Sequence, residues 1–161
     1  MIQPITITVG LPAQPLKPNV RCHHMTKAIA TKKYREEARD AAMASCYDQD
    51  VKEPIREARV DITYYHLTKR YMDRDNILAS LKAVFDGFSD AGLWQDDREC
   101  FFMPVQREKD ADNPRVEIRV SEGGFHDGDL VDQLRKRVHL LESAIIEQAG
   151  GIPPGRDFPE I

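Results

Sequence analysis

Two pairs of aspartates stand where their carboxylates could do chemistry together. The stretch RYMDRDNILASLKAVFDGF contains Asp73 and Asp75 at the mouth of an apolar helical pattern, and the stretch WQDDRE contains Asp96 and Asp97. Asp73 and Asp75 end a predicted extended segment, where residues two apart point to the same side. A shared cation would offset the repulsion between their carboxylates. Mg²⁺ prefers oxygen ligands, so acids meeting at one rim would predict a metal-dependent phosphodiesterase site.

Each pair alone also has an ordinary structural explanation. An aspartate at a helix N-terminus accepts hydrogen bonds from backbone N–H groups and suits the helix dipole, which would account for Asp73 or Asp75. The second pair would fit a solvated turn. The metal interpretation therefore depends on the two pairs occurring together, and on a lysine that lies on the same helix face as Asp75.

That lysine is Lys82, which follows Asp75 by seven residues, and Asp86 follows by eleven. At 100° per residue these three side chains fall within about 40° of one another on a helix. A lysine placed there can meet a scissile phosphate or a leaving oxygen. The segment AGLW, residues 91–94, predicts a tight helix exit that could return the second acidic pair toward the end of the sheet. The opposite helix face is predicted to be core and consists of Ile77, Leu81, Val84, Phe85 and Phe88.

The stretch DRDNILASLKAVFDGFSDAGLWQDD resembles the signature of RusA-type Holliday junction resolvases, small dimeric endonucleases typical of prophages. The family pattern runs D-x-D-N-L, lysine, D-[AG]-L and then G-x-x-x-D-D, and the resemblance covers roughly residues 3–121. In the best-known members the lysine follows the second aspartate by four residues rather than seven. The change keeps the helix face but moves the lysine by about 4–5 Å along the axis. The residues that match the pattern are Asp73, Asp75, Asn76, Lys82, Asp86, Gly92, Asp96 and Asp97.

The resemblance implies a homodimer that binds four-way DNA junctions and nicks symmetric strands in a Mg²⁺-dependent reaction, with Mn²⁺ as a possible substitute. It implies catalytic roles for Asp73, Asp75, Lys82 and Asp97. The three aspartates would hold the metal, with Asp96 as a further candidate ligand, and Lys82 would stabilise charge. Asn76 and Asp86 would support the site. The DNA backbone would be held by Lys17, Arg21, Lys27, Lys32, Lys33, Arg35, Lys69 and Arg70.

The predicted function is thus a structure-specific endonuclease of DNA recombination and repair, bacterial or phage-encoded and cytoplasmic. Two alternatives stay open. One is a non-catalytic phage DNA-binding accessory protein with the same fold, which metal-dependent cleavage of a junction would exclude. The other is a phosphatase for small phosphate esters, which would turn over a generic phosphomonoester and show no salt-sensitive DNA binding.

Composition agrees with a globular chain and does not by itself suggest nucleic acid. The 161 residues are 41% hydrophobic and 31% charged, with a net charge of −4. Basic residues nevertheless concentrate in residues 17–39, which can form a basic surface on an acidic protein. The sequence has no apolar run long enough for a membrane span, so no membrane partner is expected. Three cysteines without a CxxC motif indicate free thiols, and zinc binding through Cys22, His23 and His24 is less favoured than a loop.

The elements that must position these residues form an α+β pattern. Alternation predicts strands in residues 5–9, 53–67, 99–107 and 115–120, and helices are predicted in residues 31–47 and 77–91. The third strand should lie at an edge, because Pro104 cannot donate to a ladder. A short turn at residues 110–114 leaves no room for a helical crossover, which disfavours a doubly wound parallel sheet. A small mixed β-sheet packed with helices is expected.

The predicted domain organisation is an endonuclease domain in residues 1–122, a helical extension in residues 123–149 and a tail in residues 150–161. Residues 129–149 predict a long amphipathic helix with a continuous apolar seam. Two placements of this helix stay open: packing over the exposed face of its own sheet, or docking across a dimer. The seam consists of Val131, Leu134, Val138, Leu141 and Ile145.

Overall fold

A computed structural model describes residues 3–68, 72–96, 98 and 100–123 of the chain. The predicted C-terminal helix and tail lie outside the described residues. Within this part, no helix is long and apolar enough to cross a membrane. The elements are β1 Ile5–Val9, a 3-10 turn Gln14–Leu16, α1 His24–Asp48, β2 Arg59–His66, α2 Arg74–Ser80, α3 Lys82–Asp90, β3 Phe101–Phe102, β4 Gln106–Lys109 and β5 Arg115–Ser121.

The strands form one mixed sheet, which confirms the predicted α+β class. β5 lies between β1 and β2 and is antiparallel to both, whereas β3 and β4 pair with β2 in parallel. Ile7 and Ile62 are both in register with Ile118, and all three are buried on one face. That face is covered by α1 and the α2–α3 segment. The apolar residues that alternation placed inward are therefore the core.

The other face of the sheet is polar and open. A shallow basin of about 510 Å³ lies on it, and its lining includes Thr6, Arg59, Asp61, Glu117 and Arg119. Arg59 binds the Asp61 carboxylate, with Nε and Oδ2 3.0 Å apart. This face offers charged side chains rather than an apolar surface.

α1 and α3 cross in close contact at Gly87. A Cβ atom added to Gly87 would lie 2.4 Å from the Arg35 carbonyl oxygen and 3.1 Å from the Ala38 Cβ. Tyr34 also fixes α1, because its hydroxyl donates to the Gly10 carbonyl at 2.7 Å. α1 begins at His24, seven residues before the predicted start, with His23 as its N-cap accepting from the Met25 N–H. A histidine cap is not among the usual N-cap residues, which is why the sequence pattern missed this start.

The predicted helix of residues 77–91 is two helices, α2 and α3, that meet at Leu81. Leu81 has φ −95° and ψ 1°, and its N–H donates to the carbonyls of both Ile77 and Leu78. The Ser80 hydroxyl also donates to the Ile77 carbonyl at 2.7 Å. A serine that bonds back to its own helix competes for a backbone acceptor and bends the helix. The predicted core face is nevertheless confirmed, since all five of its residues are buried.

The predicted strand of residues 99–107 is also divided. β3 and β4 are separated by Met103 and Val105, which are buried, with Pro104 between them. Met103 still donates its N–H to the Val60 carbonyl at 2.9 Å. Pro104 has no N–H to continue the ladder, so the pairing with β2 stops and restarts. Among the described strands, these two form the edge of the sheet next to β2, as predicted.

Candidate active site

The first acidic pair lies at the start of α2 and is exposed. Asp73 is the N-cap residue of α2 and Asp75 lies in its first turn, but the Asp73 side chain makes no capping hydrogen bond. Among the described residues, neither carboxylate has a hydrogen-bond or ion-pair partner. The side-chain capping hydrogen bond expected of Asp73 is therefore not made, whereas Asp75 in the first turn still suits the helix dipole. Two adjacent carboxylates with free oxygens are a donor set that suits a hard cation such as Mg²⁺.

The second acidic pair follows a helix exit that matches the prediction. Gly92 has φ 72°, and the N–H groups of Gly92 and Leu93 donate to the carbonyls of Ser89 and Phe88. This pattern is a Schellman motif, in which a left-handed glycine ends the helix. The Ile55 N–H donates to the Leu93 carbonyl at 2.8 Å, which fixes the exit beside the chain entering β2.

Asp96 helps to shape the turn after this exit. Its Oδ1 accepts from the Arg98 backbone N–H at 2.9 Å, and its carbonyl oxygen lies 3.8 Å from the Cys100 Sγ. Such an aspartate bond to a following backbone group is typical of a turn. Asp97 lies outside the described residues, so its predicted role stays a prediction.

Asp96 and Met72 have contacts that lead to different positions along β2. Cys100, in contact with Asp96, directly precedes β3, which is in register with Arg59 at the start of β2. Met72, just before Asp73, is hydrogen bonded to Arg107, which is in register with Tyr64. Arg59 and Tyr64 are separated by roughly 17 Å along the strand.

The described residues contain no metal group that joins Asp73, Asp75 and Asp96. Among them, no three His, Cys, Asp or Glu side chains come together as a metal-binding group. This finding covers Asp73, Asp75 and Asp96, and also the alternative zinc group of Cys22, His23 and His24.

Lys82 is the first residue of α3 and pairs with Asp86. The Lys82 Nζ lies 3.5 Å from the Asp86 Oδ1, and the side chains are 73% and 32% exposed. The pair shares one helix face, as the spacing predicted. The break at Leu81 lies between Asp75 and Lys82, so the constant rotation assumed for one straight helix does not apply across it. Asn76, predicted to support the site, lies half-buried in the first turn of α2.

The predicted DNA-binding residues differ in whether they already form ion pairs with carboxylates of this chain. Lys32 makes a long pair with Glu36, with Nζ and Oε1 3.9 Å apart. Arg35 instead binds the Asp90 carboxylate through two nitrogens, and this contact lowers the pKa of Asp90. Arg35 thus joins α1 to α3. Lys69 and Arg70 lie outside the described residues. Of the predicted DNA-binding residues, Arg21, Lys27 and Lys33 are exposed and form no ion pair among the described residues, and Lys17 is partly buried.

Sequence reasoning missed Arg107, which contacts the backbone just before Asp73, and His66, whose pKa the charge of Arg107 affects. The Arg107 Nη1 donates to the Met72 carbonyl at 3.3 Å. His66 is buried with its ring 4.6 Å from that of Tyr64, and burial, together with the charge of Arg107, lowers the pKa of His66. Alternation after Val105 puts Arg107 at an inward-facing strand position. A charged residue at such a position was the available signal.

Comparison with known proteins gives two matches. The family model described as Endodeoxyribonuclease RusA matches residues 12–121. A protein from Xylella fastidiosa (strain Temecula1 / ATCC 700964), described as an uncharacterized protein, is 33% identical over 102 residues. These residues are 62% of this chain and 65% of the relative, so the chain spans less than two thirds of the relative's length.

Proposed function

The chain belongs to the endodeoxyribonuclease RusA family, and on that premise we propose that it is a metal-dependent endonuclease for four-way DNA junctions. The observation that carries the proposal is the family match over residues 12–121, which spans every candidate catalytic residue. The carboxylates of Asp73 and Asp75 support it, since they are exposed and have no hydrogen-bond or ion-pair partner among the described residues. Cleavage of junctions would serve DNA recombination and repair.

The proposed metal ligands are Asp73, Asp75 and Asp97, with Asp96 as a further candidate. A donor set of carboxylate oxygens suits Mg²⁺, and Mn²⁺ can replace it at such sites. When bound, the ion would activate a water molecule and neutralise charge on the phosphate. Asp73 and Asp75 contribute by holding two oxygens at the surface, where a DNA strand can reach them.

Lys82 is proposed to stabilise charge on the phosphate. Its ammonium group is mostly exposed, and an exposed ion pair such as Lys82–Asp86 contributes little to stability. The lysine can therefore exchange Asp86 for a phosphate oxygen at small cost. In the free protein, Asp86 restricts where the ammonium group lies.

The exposed basic residues of α1 are proposed to hold the phosphate backbone. Lys27, Lys32 and Lys33 are available for this contact, whereas the Arg35 guanidinium is engaged by Asp90. Lys17, Arg21, Lys69 and Arg70 extend the proposed footprint along the chain. Two opposed nicks require two sites, so we propose a homodimer with two-fold symmetry.

A nicking assay on a synthetic four-way junction, with and without Mg²⁺, tests the proposal. Asp75→Asn should abolish cleavage but leave junction binding intact or tighter, because it removes a negative charge near phosphate. Asp112→Asn is the matched control, since Asp112 is an exposed aspartate in the turn before β5. Cleavage by Asp75→Asn at the rate of the control would exclude Asp75 from the site. Absence of cleavage by the wild-type protein on junctions would refute the proposed function.

Asp97 needs a separate experiment, because it lies outside the described residues. Chains with Asp75→Asn and chains with Asp97→Asn are each expected to be inactive, and the two are then co-expressed and purified together. If both carboxylates serve one site within a chain, every site in the mixed protein stays defective. Recovery of nicking would assign the two carboxylates to different chains.

A further inference from the structure

Arg107 lies on the helix-covered side of the sheet, below the start of α2. It belongs to β4, and its Cα is paired with that of Tyr64, which is buried. Side chains at paired positions of neighbouring strands point to the same face. Gln106 and Glu108 on either side of Arg107 are exposed, whereas Arg107 is half-buried. A guanidinium group is therefore placed under the segment that carries the first acidic pair.

The group that Arg107 holds is the backbone just before Asp73. Its Nη1 donates to the Met72 carbonyl at 3.3 Å, a contact between residues 35 apart in the sequence. Among the described residues, no other hydrogen bond joins residues 72–75 to the sheet. The Met72 side chain also packs against the core. Within the described residues, residues 72–75 are thus linked to the core by the Arg107 hydrogen bond and by the Met72 side chain.

This contact matters because no hydrogen bond or ion pair from the described residues holds the two carboxylates in place. Asp73 does not cap α2 with its side chain, and neither Asp73 nor Asp75 has a partner among the described residues. Two adjacent negative charges repel each other when no cation lies between them. Their relative position then depends on the backbone that carries them.

We propose that Arg107 is a positioning residue that holds the Met72 backbone and thereby sets the acidic pair for cation binding. This inference rests on the proposed function for its link to catalysis, but the backbone contact itself can be tested without DNA. Residues that orient metal ligands without touching the metal typically change metal affinity or activity by about 10–100-fold when replaced.

The experiment compares Arg107→Met with Lys109→Met in the full chain. Lys109 lies two residues further along β4, is exposed and has no partner among the described residues, so its replacement removes the same charge without a hydrogen bond. Hydrogen exchange of the peptide containing residues 72–76 is measured first. Mn²⁺ affinity without DNA is measured next by calorimetry. kcat and KM on a junction follow.

Arg107→Met should speed exchange in residues 72–76, weaken Mn²⁺ binding roughly 10-fold and lower kcat with KM unchanged. Arg107→Lys should be intermediate, because it keeps the charge but lacks the planar fork of donors. It also replaces the Met variant in every measurement if that variant does not fold.

Exchange and Mn²⁺ affinity equal to those of Lys109→Met would overturn the proposal. If the wild-type protein fails to nick junctions, the proposed function is refuted. The exchange comparison still decides whether Arg107 holds residues 72–76.

Discussion

Replacing Gly87 with alanine tests how closely α1 and α3 are packed. The added Cβ would lie 2.4 Å from the Arg35 carbonyl oxygen and 3.0 Å from the Arg39 nitrogen, both backbone atoms that cannot rotate away. The first distance is about 1 Å short of an ordinary contact, so the two helices must separate. Overpacking of this kind costs up to about 3 kcal/mol, and the higher helix propensity of alanine returns about 1 kcal/mol. We expect a net destabilisation of about 1–2 kcal/mol.

Thermal and urea unfolding of the purified variant measure this change. In a chain of 161 residues, a loss of that size should lower Tm by roughly 2–8 °C. Gly10→Ala is the control, because its added Cβ would meet only the Glu37 Oε1, at 3.4 Å, and Gly10 does not have a positive φ. The control should stay within about 0.5 kcal/mol of wild type. A Gly87→Ala protein as stable as the control would refute the inferred close crossing.

Three further predictions concern the surface, pH and a buried hydroxyl. Replacing Lys32 and Lys33 with glutamine should weaken DNA binding for all sequences and flatten the log–log salt dependence by roughly 0.9 per lost phosphate contact; an unchanged slope in fluorescence titrations would remove them from the footprint. Folding lowers the pKa of His66, so the free energy of unfolding includes a contribution from the neutral imidazole. This contribution should be fully present above the unfolded pKa of about 6.5 and fall as pH drops below it, by at most about 1.4 kcal/mol per pH unit. His66→Gln should remove that part of the pH dependence in chemical denaturation. Tyr34→Phe should cost about 1 kcal/mol in the same assay, since the Gly10 carbonyl loses its donor.

The sequence predicted elements well where the signal is local and periodic. Alternation in residues 5–9 and 115–120 identified strands whose apolar residues are buried without exception. The glycine in AGLW predicted a helix exit that the structure confirms at Gly92. These features depend on side-chain periodicity and on the conformational freedom of one glycine, both of which can be read from a few neighbouring residues.

Local patterns could not predict features that depend on competition for a backbone acceptor or on contacts between residues distant in the sequence. The division at Leu81 arises from a serine hydroxyl that takes a backbone acceptor, and most serines on helices do not bend them. The contact of Arg107 with Met72 joins positions far apart in the sequence and follows only from the parallel pairing of β4 with β2. For the candidate site, the sequence identified the exposed pair Asp73 and Asp75. Its prediction that Asp96 and Asp97 join this pair stays a prediction.

The divided edge of the sheet bears on how the chain behaves at high concentration. A long, flat, apolar edge strand is a template on which other chains can add strands and aggregate. Here the outer strand beside β2 is interrupted at Pro104, its first part has two residues, and its second part, QREK, carries three charged residues. Exposed Phe101 and Phe102 are thus confined to a segment too short for a stable ladder. Extending this edge by replacing Pro104 with a β-branched residue would remove a built-in barrier to aggregation.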